Sequence, residues 1–250
     1  MYLNHPMRCR RAGWLLMLVC CLAGARPASD LASFEASYKI SRSGIVLGEI
    51  RVRFQLEPDG RYHHESITEV TGIVSWFHGD RVQESSRGYM DQTGIHPDYY
   101  RFLRSGDEYQ KLAEIHFDWE SGQVENVVDG QPWKMSIPEG TLDKLVVQIA
   151  TMRSLQENLR DQHFKVADGG WLKDYRIHIH ERATLEVPAG RFETVKIEKE
   201  SGDKRRQTYL WLAPALGFLP VQIMRTESDG AVYYSELESF SESLRRPDPG

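Results

Sequence analysis

The sequence predicts a mainly β protein: a large curved or closed antiparallel β-sheet, barrel-like and of about a dozen strands, with one amphipathic helix covering or plugging it. Three observations predict this class. Apolar and polar residues alternate over most of the chain, most cleanly where Ile50, Val52, Phe54 and Leu56 are interleaved with Arg51, Arg53, Gln55 and Glu57. One dry face and one wet face is the pattern of an antiparallel sheet. Turn pairs punctuate these runs at Asp59-Gly60, Thr93-Gly94, Gly106-Asp107, Ser121-Gly122, Asp129-Gly130, Gly202-Asp203 and Asp229-Gly230, and such pairs accept the positive φ of tight hairpins. One stretch, Thr141–Arg160, instead repeats its apolar residues at helical spacing, through Leu142, Leu145, Val146, Ile149, Met152, Leu155 and Leu159. Open twisted sheets rarely exceed about 10 strands, and closed ones much above about 8 have more interior than their own side chains fill. The helix is therefore expected to fill the interior or cap its mouth.

The chain opens on a secretory pattern. Arg8, Arg10 and Arg11 precede an apolar run over 12–24, and Ala23-Gly24-Ala25 is a small-x-small site, so cleavage is expected after Ala25. The run is shorter than the roughly 20 residues that span a bilayer. The expected organisation is a signal peptide over 1–25, a single mainly-β domain over 26–241 with its helix at about 141–160, and a disordered tail over 242–250. Cys9, Cys20 and Cys21 all fall in the signal, which leaves the mature chain without disulfide, thiol catalysis or thiolate metal sites. Val19 before Cys20, and Cys20 before Cys21, do not supply the small residue that a lipid-anchor site needs, so a free exported product is favoured over a lipoprotein. Losing the three signal arginines takes the formal charge from -5 to -8. Nucleic acid is a poor partner for so acidic a chain. No later apolar run is long enough to cross a membrane as a helix.

The first strand is Phe34–Ile40, where Phe34, Ala36, Tyr38 and Ile40 share a face, and Ser41–Gly44 turns it into the strand containing Ile50–Glu57. Further strand patterns cover Tyr62–Val70, Gln83–Asp91, Tyr99–Leu103, Tyr109–Trp119 and Gln123–Val128. The helix follows Pro138-Glu139-Gly140, with Thr141 as its expected N-cap. Asp143 and Arg160 carry the charges that a helix dipole favours at either end. After Asp168-Gly169-Gly170, strand patterns resume at Tyr175–His180, Thr184–Val187, Phe192–Lys199, Arg206–Leu212, Leu219–Met224 and Val232–Phe240.

Few residues suggest chemistry. His178 and His180 share a strand face, as two metal ligands could, and Glu186 follows in a weak likeness to the cupin pattern. The glutamate is late, a second cupin motif is missing, and Arg176 puts this face in water, so neither metal nor cofactor is expected. His63 and His64 point to opposite faces. Phosphate loops, nucleophile elbows and helical His-Glu-x-x-His motifs are missing from the sequence. Leu145, Ile149, Met152, Trp119 and Trp211 are the candidates to line an apolar pocket; their alternative is an ordinary core.

Leu185-Glu186-Val187-Pro188-Ala189-Gly190-Arg191-Phe192 is followed by Tyr209-Leu210-Trp211-Leu212-Ala213-Pro214 and Gly217-Phe218-Leu219-Pro220-Val221. With Tyr38–Gly48 and Leu142-Asp143, these elements resemble the exported bacterial family called domain of unknown function 3108, over most of the mature chain. The resemblance implies a periplasmic, mainly β protein with no accepted activity and no catalytic residues to carry over. The expected function is non-enzymatic: binding of an apolar or lipid-like small molecule, or of a cell-envelope protein. The alternatives are an envelope scaffold or accessory factor with a filled interior, and a hydrolase acting on envelope material.

Overall fold

The structure, a computed structural model, describes residues 31–70, 81–106, 110–157, 162–202 and 205–244. The amino-terminal segment expected to be a signal lies outside the described residues. Fifteen strands are found among them: β1 (Phe34–Arg42), β2 (Ile45–Leu56), β3 (Arg61–Val70), β4 (Arg81–Met90), β5 (Ile95–Ser105), β6 (Gln110–Asp118), β7 (Gln123–Val128), β8 (Gln131–Ser136), β9 (Leu142–Asp143), β10 (Gln162–Asp168), β11 (Trp171–Val187), β12 (Gly190–Glu200), β13 (Gln207–Ala213), β14 (Leu219–Thr226) and β15 (Val232–Phe240). One helix, α1 (Val147–Gln156), joins β9 to β10.

All strands belong to one sheet, in the order β8-β7-β6-β5-β4-β3-β2-β1-β15-β14-β13-β12-β11-β10-β9. Each strand pairs with its neighbours in the chain, and β1 also pairs with β15. Hydrogen bonding stops only between β8 and β9, so the sheet is a ring cut at one place. All pairs are antiparallel except β9 with β10.

The sheet does not close at the cut; its edges overlap there. Val166 and Ala167 are adjacent on β10 and therefore face opposite ways, yet both are fully buried. Val166 and Leu142 pack into the main core with Phe34, Phe54 and Leu237. Ala167 packs on Tyr100, Ile115 and Val124, the inward side chains of β5, β6 and β7. The β9–β10 edge thus lies inside the wall formed by β5–β8, as in a rolled scroll. Trp133 of β8 reaches the β10–β11 turn, where a Cβ on Gly170 (φ +86) would fall 2.5 Å from the indole. Only glycine fits there, by both conformation and space.

Three strands, β8, β9 and β10, escaped the alternation pattern for physical reasons, β9 because two residues are too few to alternate. β10 is buried on both sides near its end, which erases alternation. β8 carries Pro132, tolerated because β8 is an edge. Thr184–Val187 is the continuation of β11 past a bulge between Ile179 and Arg182.

The helix is shorter than the expected 141–160. Thr141 is not its N-cap: the hydroxyl donates to Pro138 O at 2.7 Å, and Leu142-Asp143 forms β9. Asp143 Oδ1 accepts from the Leu145 and Val146 amides, each at 2.9 Å, and so turns the chain from strand into helix. Leu159 and Arg160 lie outside the described residues. Val147, Ile149, Ala150, Thr151, Met152 and Leu155 are all buried, so α1 is a plug rather than an external cover. Its last turn is pinned by Gln156 Nε2 donating to Gly217 O at 3.0 Å and by Arg153 Nη1 donating to Gly94 O at 3.4 Å. At the carboxyl end, Glu242–Leu244 forms a short 3-10 turn with Leu244 buried. Order therefore reaches past residue 241, and 245–250 lie outside the described residues.

Candidate functional site

The inward-facing row of side chains changes character along each strand. On β1, Phe34, Ala36 and Tyr38 are buried, Ile40 is half-buried and Arg42 is exposed. On β14, Leu219 and Val221 are buried, Ile223 is half-buried and Arg225 is exposed. Val195 and Ile197 on β12 give way to half-buried Lys199; Ile177 and Tyr175 on β11 give way to Lys173 and then Trp171; Ser86 on β4 gives way to Glu84. The buried ends all lie toward α1. The interior therefore has a filled half, which holds the helix, and an open half.

The open half is lined by charge. Glu84 accepts from Tyr100 Oη at 2.6 Å and pairs with Lys144 Nζ at 2.9 Å. Lys144 also lies 4.5 Å from the centre of the Phe102 ring, a cation–π contact. Asp168 accepts from Tyr175 Oη at 3.0 Å and pairs with Lys173 at 2.7 Å. Burial works against the Asp168 carboxylate, but Lys173, Lys144 and the Tyr175 hydroxyl outweigh it and hold its pKa below the usual value. Burial, then the Glu84 and Asp168 carboxylates respectively, keep the Tyr100 and Tyr175 hydroxyls protonated far into alkali. Each acid is thus matched by one lysine and one tyrosine.

Lys199 is the exception. Its ammonium sits 5.5 Å from the centre of the Tyr175 ring. Among the described residues, no carboxylate lies within 4.0 Å of it. Desolvation, followed by repulsion from Arg225 and Lys144, pulls its pKa down to about 8 against the partial support of Glu84 and Asp168. Arg225 is engaged with Glu227 at 2.7 Å.

Between the two halves runs a sealed polar layer. Ser86 Oγ donates to Asp143 Oδ2 at 2.5 Å and lies 3.0 Å from Tyr62 Oη. His64 stands across from Ser86 in the β3–β4 register, and its Nδ1 donates to Arg53 O at 3.1 Å. Serine, histidine and aspartate are therefore neighbours, but not in a nucleophilic order. Ser86 gives its proton to the acid, the imidazole serves a backbone carbonyl, and all three are fully buried. Burial raises the Asp143 pKa to about 6, against hydrogen bonds from Ser86 and two amides, and lowers that of His64 to about 4.

The residues singled out by sequence are dispersed. His178 and His180 lie on the outer face of β11, where each contacts its own glutamate, Glu200 at 3.4 Å and Glu198 at 3.3 Å. Among the described residues, no group of three His, Cys, Asp or Glu is arranged to hold a metal ion. Ile149 and Met152 are core. Leu145 packs in the overlap, as does Trp119, whose Nε1 donates to Pro97 O at 2.9 Å. Trp211 packs on the core with Lys196 5.5 Å from its ring centre. None of the five belongs to the inner rows of the open half. The residues that do, from Glu84 to Arg225, were readable in one respect: each stands two positions along from an inward residue, so a charge occupies an inward position. Outside, a groove of about 530 Å³ crosses β1–β3 and β15, but its side chains are spent on one another, as in Arg53–Glu35 at 2.7 Å and Ser37–Ser239 at 2.7 Å.

The fold has a solved counterpart. A β-barrel-like protein of the DUF1849 family from Brucella abortus is similar over 86% of this chain and 99% of its own, with a TM-score of 0.58 and 10% identity. A candidate exported protein with a YmcC-like fold from Bacteroides fragilis aligns over 85% and 97% at 12% identity, with a TM-score of 0.34. A candidate lipoprotein from Parabacteroides distasonis aligns over 85% and 96% at 11% identity, also at 0.34. No curated protein sequence matches the chain significantly. The turn and strand motifs around Pro188 and Pro214 fall within a family match that runs over residues 33–237, and the chain belongs to that family, the proteins of unknown function DUF3108.

Proposed function

We propose that this chain is an exported, non-enzymatic binding protein of the cell envelope that holds a small ligand in the open half of its rolled sheet. The observation that carries the reading is the change along the inner rows, from buried at the helix to part-exposed beyond it. A scaffold with a filled interior would have buried rows throughout. An apolar or lipid-like ligand is favoured because Ile40, Ile50, Phe102 and Ile223 face inward in this half and stay part-exposed; apolar walls with a few convergent polar groups are what ligand sites are made of. Periplasmic export rests on the secretory pattern of residues 1–25. No helix among the described residues is long and apolar enough to cross a membrane. The non-enzymatic reading draws on the sealed His64, Ser86 and Asp143 layer, which no substrate reaches, and on open-half acids already matched by lysine and tyrosine.

Native mass spectrometry of the mature protein, taken from the cell envelope, tests the proposal. The expected result is a stoichiometric small-molecule mass that is lost on denaturation. A protein that carries none, and whose melting temperature is unmoved by an extract of envelope lipids, would overturn it.

A further inference from the structure

The ligand's chemistry can be read from the charges that would meet it. In the open half, Glu84 is satisfied by Lys144 and Tyr100, and Asp168 by Lys173 and Tyr175. That leaves Lys199 as a desolvated cation with an aromatic face on one side and no carboxylate within 4.0 Å among the described residues, Glu84 and Asp168 supporting it only from further off. A half-buried, desolvated charge with no ion-pair partner is costly, and an anion beside it would offset that cost. Along the same run of sheet, on β1 and β2, Ile40 and Ile50 form an apolar wall that is not fully covered. Resting on the reading that the open half binds a ligand, we propose that the ligand is an acidic amphiphile, its carboxylate or phosphate monoester held by Lys199 and its hydrocarbon tail laid on the Ile40–Ile50 wall.

The lowered pKa of Lys199 agrees with this. An anion beside Lys199 favours the charged amine, so binding takes up a proton near pH 8 and weakens as the pH rises beyond it. The groups around the amine are Tyr175, Arg225, Lys144, Glu84 and Asp168. Asp168 is held below its usual value and Tyr175 well above its own, so neither competes with the lysine for a proton in this range.

Calorimetry with dodecanoate, dodecyl phosphate, dodecanol and inorganic phosphate tests the proposal on wild type, Lys199→Met and Lys199→Arg. The two acidic amphiphiles should bind wild type at least about tenfold more tightly than dodecanol, the scale of one charge-assisted contact. Lys199→Met should erase that preference, and Lys199→Arg should restore most of it. Removing an unpaired buried charge should also leave the melting temperature of Lys199→Met equal or higher, so lost binding would not reflect lost folding. Equal binding of dodecanol and dodecanoate to wild type, or an undiminished preference in Lys199→Met, overturns the anion anchor while leaving the binding function intact. Inorganic phosphate binding as tightly as dodecyl phosphate overturns the amphiphile. Failure of all four probes on a protein that also carries no native ligand overturns the binding function itself.

Discussion

His64 and Asp143 sit in the same sealed layer, and burial drives them in opposite directions. Asp143 has a folded pKa of about 6 against the ordinary 3.8. The folded state therefore holds its proton more tightly, and this group's contribution is full below pH 3.8 and lost as the pH rises through 6. His64 has a folded pKa of about 4 against the ordinary 6.5. Its contribution is full above pH 6.5 and lost as the pH falls through 4. Each amounts to about 3 kcal/mol, and across pH 4–6.5 they nearly cancel. Urea unfolding between these limits separates them. Relative to wild type, Asp143→Asn should lose about 2 kcal/mol on acidification from pH 6 to 4, while His64→Phe should gain about as much. Curves that stay parallel to wild type would show that neither group is desolvated as described. None of this was visible in the sequence, where His64 was one of two adjacent histidines on opposite strand faces and Asp143 a favourable charge near the start of a helix.

Among the elements, α1 is the one whose role the sequence left open between filler and lid. Its apolar stripe was legible because helical spacing stands out against alternation. Its start was not, because β9 borrows the first residues of the same stripe and Leu142 is buried in either conformation. With Ile149 fully buried, Ile149→Ala should cost about 3 kcal/mol, the range of large-to-small changes in a core. Ile149→Asp places a carboxylate where no partner is available and should abolish the cooperative thermal transition. A lid would behave differently: either variant would melt like wild type and differ only in binding. Circular dichroism on the two variants distinguishes the cases.

The architecture of the whole molecule was legible as a class and not as a closure. Period-two runs gave the inward and outward rows of β1 and β2 directly. The overlap escaped because it depends on contacts between β10 and β5–β7, distant in sequence, that bury both faces of one strand and remove the very alternation by which strands are recognised. Likewise, a charge at an inward position, such as Lys199 or Glu84, reveals its place on a strand but not which end of the interior it shares with the others. The seam can be probed at Gly170. Gly170→Ala strains a positive φ and drives Cβ into Trp133, which should cost about 1–3 kcal/mol. Hydrogen exchange should quicken first in β8 and at the β9–β10 edge; uniform acceleration over the sheet would mean that the overlap is no weaker than the rest.

The pairing of β1 with β15 also bears on how the chain finds its fold. Ser241 N donates to Glu35 O at 2.9 Å, and Glu35 N donates back to Ser241 Oγ at 3.1 Å, so the first strand is stitched to the residue that follows the last strand. Every other antiparallel pair in the sheet can zip locally, hairpin by hairpin, as residues become available, and the parallel β9–β10 pair needs only the crossover through α1. This one spans nearly the whole polypeptide and bears the largest loop-closure entropy. Until it forms, β1 presents an unpaired edge to whatever is nearby. The most dangerous moment for this protein is thus the interval between the emergence of its first strand and its last, when a second unfinished copy could take the place reserved for β15.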